Sequence, residues 1–304
     1  GVRRQVHCRD ELRVVDDNLR GGNGAAANWS NEFLVMCPID PLASGDRAMP
    51  HDAGACEDIL GFRITTKSQE ACLREILFWI EGKANAKYFA CLNPHSIEIA
   101  RRDEAFAAAL RDADLSLPDG VGILIASRIL GGNIRKRITG SDIFWGLNRA
   151  LEQRGGSSVF FLGSTPETLE KIVARMGQEY PRVRIAGVYS PPFREVFSAE
   201  ENAAMVSAIN AARADVLWVG MTAPKQEKWV RQHCDRLDVR LIGPVGAVFD
   251  FFTGRVQRSS PLFQRLGLEW LPRLLQEPRR LWRRNFVSNP SFLLRVIRAR
   301  LARS

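Results

Sequence analysis

Residues 157–189, SSVFFLGSTPETLEKIVARMGQEYPRVRIAGVY, decide the fold class of this chain of 304 residues. The apolar runs at the two ends, 157–163 and 183–189, have the length and composition of short buried strands. The segment between them has a helical pattern that begins with Thr165 as N-cap and Pro166 in the first turn. A strand, a helix and a strand in this order predict two parallel strands joined by a helix.

The same alternation continues on both sides of this unit. Further strands are predicted at ILGFRITT, KYFACL, DVLWVGM and VRLIGPVG. Further helices are predicted at SQEACLREILFWIEG, HSIEIARRDEAFAAALRDA, GILIASRIL, SDIFWGLNRALEQR, AEENAAMVSAINAAR and PKQEKWVRQHCDRL. We therefore expect an α/β fold with a Rossmann-like, mostly parallel sheet flanked by helices on both faces.

Both ends of the chain differ in composition from this α/β segment. Residues 1–57 are rich in Gly, Ala, Asn and Pro, which predicts a weakly structured N-terminal extension. Strand patterns run to residue 258, so the α/β domain is expected over 58–258 and an Arg-rich helical appendage over 259–304. Residues 261–304 hold ten Arg, no Lys and two Glu, which is +8 of the net charge of +9. Such a basic tail predicts an anionic partner: a lipid surface, a diphosphate or a nucleic acid.

Composition and missing motifs argue against several classes of protein. The sequence has no uncharged apolar run of the length that a membrane-spanning helix needs, and its start lacks the apolar core of a signal peptide. The six cysteines are scattered without a C-x-x-C pair, which predicts reduced thiols in a cytosolic protein. Gly120-Val-Gly122 has Ile125 where a dinucleotide fingerprint needs its third glycine, so an oxidoreductase is disfavoured.

A D-x-D pair is present, but in the wrong setting for metal binding. In many sugar-nucleotide transferases such a pair holds a divalent metal, whereas Asp112-Ala113-Asp114 ends a predicted helix instead of following a strand. We interpret it as a solvated helix end and expect no metal. Without a metal, the charge of a leaving group must be met by Arg side chains and backbone N–H groups.

Polar or glycine-rich turns follow four predicted strands, at Asn93, at Gly163, and within MTAPKQE and GPVGAVFD. Ligands of open α/β sheets bind at the carboxyl ends of the strands, so we expect one shared pocket. Gln226 is a candidate ligand contact. Glu227 is explained by the dipole of the helix that begins there, because an acid near a helix N-terminus is stabilised. His95 either begins a helix or lies at the pocket rim, and Asp119 either caps a helix or faces a substrate.

Seven blocks in a fixed order resemble the WecG/TagA/CpsF family of glycosyltransferases over about residues 58–286. The blocks are CLNPHSIEIARRDEAF, DADLSLPDGVGI, RITGSDIF, FFLGSTPETLEK, VGMTAPKQEKW, GPVGAVFDFFTGRVQRSSP and LGLEWLPRLLQEPRRLWRR. The resemblance implies a Rossmann-like core of glycosyltransferase E-type. It also implies an inverting, metal-free enzyme that moves a sugar from a UDP-sugar to a polyprenyl-diphosphate-linked sugar. Such an enzyme is expected peripherally at the cytoplasmic face of the bacterial inner membrane.

The resemblance also implies roles for individual residues. Asp119 of LPDG matches the family's catalytic base, and Cys91 stands where the family usually has Thr; a thiol is a weaker hydrogen-bonding group than a hydroxyl. Three arginines of the tail match residues that close over the active site. Gly122 and Gly163 are added to these positions because a glycine allows the backbone to approach a ligand closely. The substrate-binding positions are then Asn93, Cys91, Gly122, Arg137, Gly163, Gln226, Gly246, Asp250, Arg273, Arg280 and Arg283.

The donor sugar is inferred from one departure. Many members have a Gly-Tyr-Phe turn where this chain has VYSPPF, residues 188–193. That variant looks like the exopolysaccharide branch, which favours glucose as the donor sugar, with UDP-N-acetylmannosamine as the alternative. Two other classes stay open: a nucleic-acid-binding protein that uses the basic tail, although no binding motif is recognisable, and a UDP-sugar-binding protein without catalysis. A homo-oligomer is also left open.

The end of the tail has a pattern of its own. On a helix over residues 292–303, the side chains Leu293, Leu294, Ile297 and Leu301 share one side. Arg295 and Arg298 lie opposite, which predicts a basic amphipathic helix suited to an anionic membrane surface. The alternative is a helix packed on the domain or on another subunit.

Overall fold

The computed structural model describes residues 55–82, 86–256 and 284–302, the last range without the side chains of Arg284 and Asn285. The predictions made for residues 1–54 lie outside the described residues. So do those for the tail arginines Arg273, Arg280 and Arg283. The division into extension, α/β domain and appendage therefore stays a prediction.

Eight strands form two sheets in the described residues. An antiparallel hairpin pairs β1 with β2, and a six-stranded sheet has the order β4-β3-β8-β7-β5-β6 with every neighbouring pair parallel. The strands are β1 Cys56–Ile59, β2 Phe62–Thr65, β3 Lys87–Leu92, β4 Leu115–Pro118, β5 Ser158–Gly163, β6 Arg184–Tyr189, β7 Val216–Gly220 and β8 Leu241–Pro244.

Ten α-helices accompany these strands in the described part of the chain. They are α1 Gln69–Glu81, α2 Pro94–Ala100, α3 Glu104–Arg111, α4 Val121–Leu130, α5 Gly140–Arg154, α6 Pro166–Glu179, α7 Ala199–Ala212, α8 Lys225–His233, α9 Val248–Phe252 and α10 Asn289–Leu301. A 3-10 turn, Cys234–Arg236, follows α8, and a π-helical turn, Arg284–Ser288, precedes α10.

The parallel sheet is doubly wound, as predicted. One face packs on α1, α5, α6 and α9 around Trp218, Phe144 and Phe252, and the other face packs on α7 and α8 and, towards β4, on α2, α3 and α4. The connection from β5 leads outward to β6, while the connection from β7 leads the opposite way to β8. The switch point of the sheet, where ligands of such folds bind, therefore lies between the ends of β5 and β7.

Three local predictions are wrong. The run ILGFRITT is not one strand but the turn and second strand of the β1–β2 hairpin, because Leu60 and Gly61 take positive φ. The helix predicted from residue 95 to 113 is two helices, since Asp103 accepts a hydrogen bond from the Phe106 N–H and starts α3 anew. The strand β4 was missed, because its four residues LSLP offer too short a pattern.

The helix α10 packs against the α/β domain. Phe292 and Val296 are fully buried in the cluster that also holds residues of α2 and α4. Leu293, predicted on the free apolar side, is partly buried against this cluster, whereas Leu294, Ile297 and Leu301 are exposed. The helix therefore packs on the domain through one apolar side and leaves a second apolar side uncovered in this structure.

Candidate active site

The carboxyl end of the sheet brings Asp119 and Asn93 together. The backbone N–H of Asp119 donates to the carbonyl of Leu92 at 2.8 Å, so the two strand ends run side by side. The Asn93 Nδ2 lies 3.4 Å from the Asp119 Oδ2, a long hydrogen bond in which the amide donates to the carboxylate. The structure therefore brings together the residue that the resemblance implies as the catalytic base and the Asn that it implies in a ligand-binding turn.

Asn93 is held in place by its own helix. Its Oδ1 accepts from the Ser96 N–H at 3.0 Å, and the Ser96 Oγ lies 2.8 Å from both the backbone N and the backbone O of Asn93. This capping box satisfies the free N–H groups at the start of α2. Because the Oδ1 is used by the cap, the side chain of Asn93 can present only its amide nitrogen to Asp119.

Asp119 is not the cap of the helix that follows it. Gly120 occupies that position with φ of 99°, and no side chain caps α4. A positive φ of this kind favours glycine, so Gly120 turns the chain between strand and helix. Gly122 has a packing reason, because a Cβ there would lie 2.4 Å from the Cγ of Pro94. A substrate contact of Gly122 stays a prediction.

Arg137 reaches the same place through a separate segment. The Ile138 N–H donates to the carbonyl of Pro118 at 2.9 Å, so the residues around Arg137 run beside the end of β4. Arg137 is half-buried. The next helix, α5, begins three residues later at Gly140, with Thr139 as its N-cap. A cation is therefore placed close along the backbone to Asp119, as the RITG motif implies.

Cys91 on β3 links two halves of the site, one at the ends of β3 and β4 and the other at the ends of β7 and β8. A Cβ on Gly140, the first residue of α5, would lie 3.3 Å from the Cys91 Sγ. Burial raises the pKa of the Cys91 thiol well above its usual value, and the carboxyl groups of Asp119, Glu227 and Asp142 raise it further. The thiol is therefore protonated at neutral pH, and it is electrostatically coupled to carboxyl groups from both halves.

The second half of the site is built by the ends of β7 and β8. Gly246 has φ of 54°, and its N–H donates to the carbonyl of Val219 at 3.2 Å. A Cβ on Gly246 would lie 3.4 Å from both amide atoms of Gln226. The glycine thus allows the turn after β8 to pack directly on the Gln226 side chain.

Glu227 is a buried acid beside Gln226, and the sequence did not predict its burial. It is 6 % exposed, and its Oε1 accepts from the Gln226 Nε2 at 2.9 Å. Burial raises the pKa of Glu227 to about 7, although the hydrogen bond from Gln226 acts in the opposite direction. A helix-dipole explanation fits an exposed acid at a helix start, but not a carboxyl group buried to this extent. The signal is burial, which the sequence does not contain locally.

Gly163 ends β5, and Asp250 lies on α9, which follows the end of β8, so both belong to the carboxyl edge of the sheet. Gly163 has φ of 112°, and a Cβ there would lie 2.7 Å from the carbonyl oxygen of Gly220. It therefore allows β5 and β7 to approach at the switch point. Asp250 on α9 forms an ion pair with Arg255 at 3.5 Å. The substrate contacts predicted for both residues stay predictions.

His95 contacts the tail, which decides between its two interpretations only in part. It is the second residue of α2, and its Nδ1 lies 2.9 Å from the Oγ of Ser288, just before α10. Three residues further along α2, the buried Glu98 accepts from Ser291 at 3.0 Å and from Arg295 at 2.9 Å. The helix that starts at Asn93 is thus bonded along its length to the C-terminal segment.

The D-x-D pair lies at the opposite, amino edge of the sheet. Asp112 accepts from Arg231 at 2.6 Å, and Asp114 accepts from Lys87 at 2.7 Å and from the Tyr88 N–H at 3.0 Å. These contacts join α3 and the start of β4 to their neighbours. The pair therefore has a structural role, and it lies too far along the strands to take part in the site.

The described ranges were expected to hold neither a metal site nor a membrane-spanning helix. No three His, Cys, Asp or Glu side chains of residues 55–82, 86–256 and 284–302 are placed to hold a metal ion. None of the helices in these ranges has the length and hydropathy needed to cross a bilayer. The predicted metal independence stays a prediction.

Comparison with known proteins finds named relatives that match most of this chain. Three relatives share the name N-acetylglucosaminyldiphosphoundecaprenol N-acetyl-beta-D-mannosaminyltransferase. The protein from Bacillus spizizenii is 29 % identical over 211 residues, 69 % of this chain and 79 % of the relative. That from Bacillus subtilis is 28 % identical over 220 residues, 72 % and 82 % of the two chains. That from Staphylococcus aureus is 26 % identical over 246 residues, 80 % and 92 %.

The family itself follows from a match over most of the sequence. The model of the Glycosyl transferase WecG/TagA/CpsF family matches residues 57–304. The match begins at the hairpin strand β1 and includes every strand of the parallel sheet and the basic tail. The printed names say that these relatives transfer an N-acetylmannosaminyl group. The chain belongs to the WecG/TagA/CpsF family of glycosyltransferases.

Proposed function

We propose that this protein transfers an N-acetylmannosaminyl group from UDP-N-acetylmannosamine to N-acetylglucosamine on a polyprenyl diphosphate, with inversion at the anomeric carbon. The single observation that supports this best is the pairing of Asn93 with Asp119 at the carboxyl ends of β3 and β4. The family and the names of the relatives supply the reaction class. Glucose, which the VYSPPF turn favoured, becomes the second donor to test.

Asp119 acts as the general base in this proposal. Its carboxylate takes the proton of an acceptor hydroxyl while that oxygen forms the new bond to the anomeric carbon. The bond from this carbon to the diphosphate oxygen breaks on the opposite face, and UDP leaves with the electron pair. The Asn93 amide keeps the carboxylate oriented, since the amide donates to the Oδ2 from a capped and fixed position.

The charge of the departing diphosphate is met by cations and backbone N–H groups. Arg137 supplies one cation from beside the end of β4. The family resemblance assigns further cations to Arg273, Arg280 and Arg283, which lie outside the described residues. Positively charged groups at the leaving oxygen stabilise the charge that develops in the transition state, and they make a metal unnecessary.

A panel of donors tests the reaction. Full-length protein is incubated with UDP-N-acetylmannosamine, UDP-N-acetylglucosamine or UDP-glucose and a short-chain polyprenyl-diphosphate-linked N-acetylglucosamine, and products are identified by mass spectrometry and NMR. We expect N-acetylmannosaminyl transfer with an inverted linkage. Glucosyl transfer alone would replace the donor assignment, and absence of transfer with steep, salt-dependent binding to generic DNA would support the nucleic-acid alternative.

Metal independence is tested in the same assay. Transfer that persists after treatment with a chelator supports the arginine-based mechanism. Loss of transfer that manganese restores would overturn it.

We also propose that α10 attaches the enzyme to an anionic membrane. Leu294, Ile297 and Leu301 form its exposed apolar side, and Phe286 and Val287 of the preceding turn are exposed as well. Arg298 is exposed on the same helix. Exposed apolar side chains flanked by arginine match the interface of a bilayer that contains anionic lipids. The contacts from α10 to α2 keep this surface attached to the helix that carries Asn93.

Vesicle flotation tests this attachment. The triple variant Leu294→Ser, Ile297→Ser and Leu301→Ser should lose binding to vesicles of phosphatidylglycerol and phosphatidylethanolamine. Phe78→Ser is the matched control, because Phe78 is exposed on α1, on the opposite face of the sheet. Equal binding by the triple variant and the wild type would refute the role of α10.

A further inference from the structure

The first turn of α8 holds two buried oxygens that have no hydrogen-bond partner. The Oε1 of Gln226 and the Oε2 of Glu227 are both without one, although Gln226 and Glu227 are only 5 % and 6 % exposed. Buried polar atoms of this kind are rare and cost free energy when nothing binds them. Because they belong to consecutive residues of one helix turn, a single bound group that carries both a donor and an acceptor could satisfy them.

The two side chains form half of a closed pair. A carboxylic acid and an amide can join through two hydrogen bonds, one in each direction. Here the Gln226 Nε2 donates to the Glu227 Oε1 at 2.9 Å, while the second bond, between the Glu227 Oε2 and the Gln226 Oε1, is absent. The pair therefore offers one acceptor oxygen and, when the carboxyl group is protonated, one donor O–H.

The position of the pair fits the donor half of the candidate site. It lies at the carboxyl end of β7, next to the switch point, and beneath the turn at Gly246. The Cys91 thiol, on β3 towards Asp119, is electrostatically coupled to Glu227. Asp119 lies on the β3–β4 side, where the proposed base meets the acceptor. The pair thus lies on the side of the site that is left for the donor sugar.

We propose that Gln226 and Glu227 form a neutral specificity pair that binds the acetamido group of the donor sugar, the amide oxygen of Gln226 accepting its N–H and the carboxylic acid of Glu227 donating to its C=O. The proposal deepens the proposed function and rests on it. An amide carries one donor and one acceptor at a fixed spacing, which is the complement of the two unpartnered oxygens.

A diphosphate does not fit this pair. Phosphate oxygens only accept hydrogen bonds, so they cannot satisfy the unpartnered Gln226 Oε1. The cations of the same helix turn are engaged elsewhere. The Lys225 Nζ donates to the Arg194 carbonyl at 2.5 Å and lies 3.9 Å from the centre of the Phe197 ring. The Lys228 Nζ forms an ion pair with Asp103 at 2.8 Å. The start of α8 therefore suits an uncharged group.

The protonation of Glu227 matches this role. Burial raises its pKa to about 7, so that a large fraction carries the proton at neutral pH. The Cys91 thiol, whose pKa the Glu227 carboxyl helps to raise, stays protonated. As the pH rises above 7, the donor O–H of Glu227 is lost, and binding of the acetamido group should weaken.

Two substitutions at position 227 test the proposal on full-length protein. Glu227→Gln resembles the protonated acid, and Glu227→Leu removes both hydrogen-bonding atoms. We expect Glu227→Leu to bind UDP-N-acetylhexosamines about 10- to 100-fold more weakly, while its affinity for UDP alone and for UDP-glucose changes little. Glu227→Gln should keep most of the affinity and lose the decline above pH 7. Isothermal titration calorimetry between pH 5.5 and 8.5 measures all of these.

Asn148→Leu is the matched control. Asn148 is fully buried on α5 with an unpartnered Oδ1, and its Nδ2 donates to the Phe144 carbonyl at 2.9 Å. This variant should change no ligand affinity beyond about twofold. Parallel losses for UDP and UDP-sugars in Glu227→Leu, unchanged discrimination, or a Glu227→Gln variant as weak as Glu227→Leu would each overturn the proposal. Because binding is measured directly, a wild type that discriminates without transferring sugar would instead contradict the proposed function.

Discussion

Carboxyl groups at the two edges of the parallel sheet, where the strands begin and where they end, differ in their hydrogen-bond partners. At the amino edge, Asp112 and Asp114 each accept hydrogen bonds from a cation, at 2.6 Å from Arg231 and 2.7 Å from Lys87. At the carboxyl edge, Glu227 is buried with an amide as its hydrogen-bond partner and keeps one oxygen without any. Carboxyl groups whose charge is compensated within the chain hold the fold together. A buried carboxyl group with one oxygen that lacks a hydrogen-bond partner is typical of a ligand-binding site.

The difference matters because the sequence suggests the reverse. The D-x-D letters of the amino edge resemble a metal site, while Glu227 resembles an ordinary acid at a helix start. To bind a metal or a substrate, Asp112 and Asp114 would have to lose their hydrogen bonds from Arg231 and Lys87. The two edges can be separated by matched substitutions, because each edge offers a carboxyl group that an amide can replace.

The largest effect is expected for Asp119→Asn. The amide keeps the shape of the side chain but cannot take a proton, so turnover should fall about 10²- to 10⁴-fold. Thermal unfolding should be nearly unchanged. Asp114→Asn is the control from the amino edge: it weakens contacts to Lys87 and Tyr88, and it should cost about 1 kcal/mol of stability with no loss of turnover. Comparable losses of turnover in both variants would erase the distinction between the edges.

The next effect is the dependence of stability on pH. The pKa of Glu227 rises from 4.5 to about 7 on folding. A raised pKa gives the folded state its advantage below the unfolded pKa, and that advantage is lost as the pH rises through the folded value. The wild type should therefore lose up to about 3 kcal/mol between pH 4.5 and 8 relative to Glu227→Gln. Urea unfolding of both proteins across this range measures the difference, and parallel curves would show that folding does not raise the pKa of Glu227.

A smaller effect is expected where the tail is bonded to α2. Arg295→Met removes the cation that donates to the nearly buried Glu98 and should destabilise the attachment of α10 by about 1–3 kcal/mol. Limited proteolysis of the C-terminal segment, followed by mass spectrometry, should show faster cleavage. Arg298→Met is the control on the exposed side of the same helix. Equal cleavage of the two variants would mean that the Glu98 contact does not hold the helix.

The smallest effect belongs to the amino edge again. Arg231→Met breaks the ion pair with Asp112, in which both side chains are about half exposed. Exposed ion pairs contribute about 0–1 kcal/mol, so both stability and turnover should stay near the wild type. A large loss of turnover would show that this edge takes part in the reaction after all.

The sequence predicted the parts of the molecule that have local signals. Alternating strands and helices, and the capping of α6 by Thr165, follow from patterns of a few residues, and the structure confirms them. The hairpin turn at Leu60 was missed because leucine rarely takes the positive φ that it has here. The break at Asp103 was missed because the apolar pattern continues through it. Its role as the N-cap of a new helix becomes evident only in the structure, where its side chain accepts from the Phe106 N–H.

The site was predictable where motifs carry it and hidden where burial creates it. Asp119, Asn93 and Arg137 follow from the resemblance, and the hydrogen bonds of the strand ends bring them together. The residues next to Glu227 in the sequence do not distinguish it from an exposed acid at a helix start. Its raised pKa arises from burial, which parts of the chain distant in sequence create when the protein folds.

Hydrogen–deuterium exchange with and without UDP tests the central claim, that the carboxyl edge is the active site, most directly. The account predicts that UDP slows exchange at the strand ends of the carboxyl edge, in residues 92–95, 118–123 and 220–227. Exchange at the amino edge, in residues 86–88 and 112–115, should stay unchanged. Protection confined to the amino edge, or no protection at saturating UDP, would contradict the account.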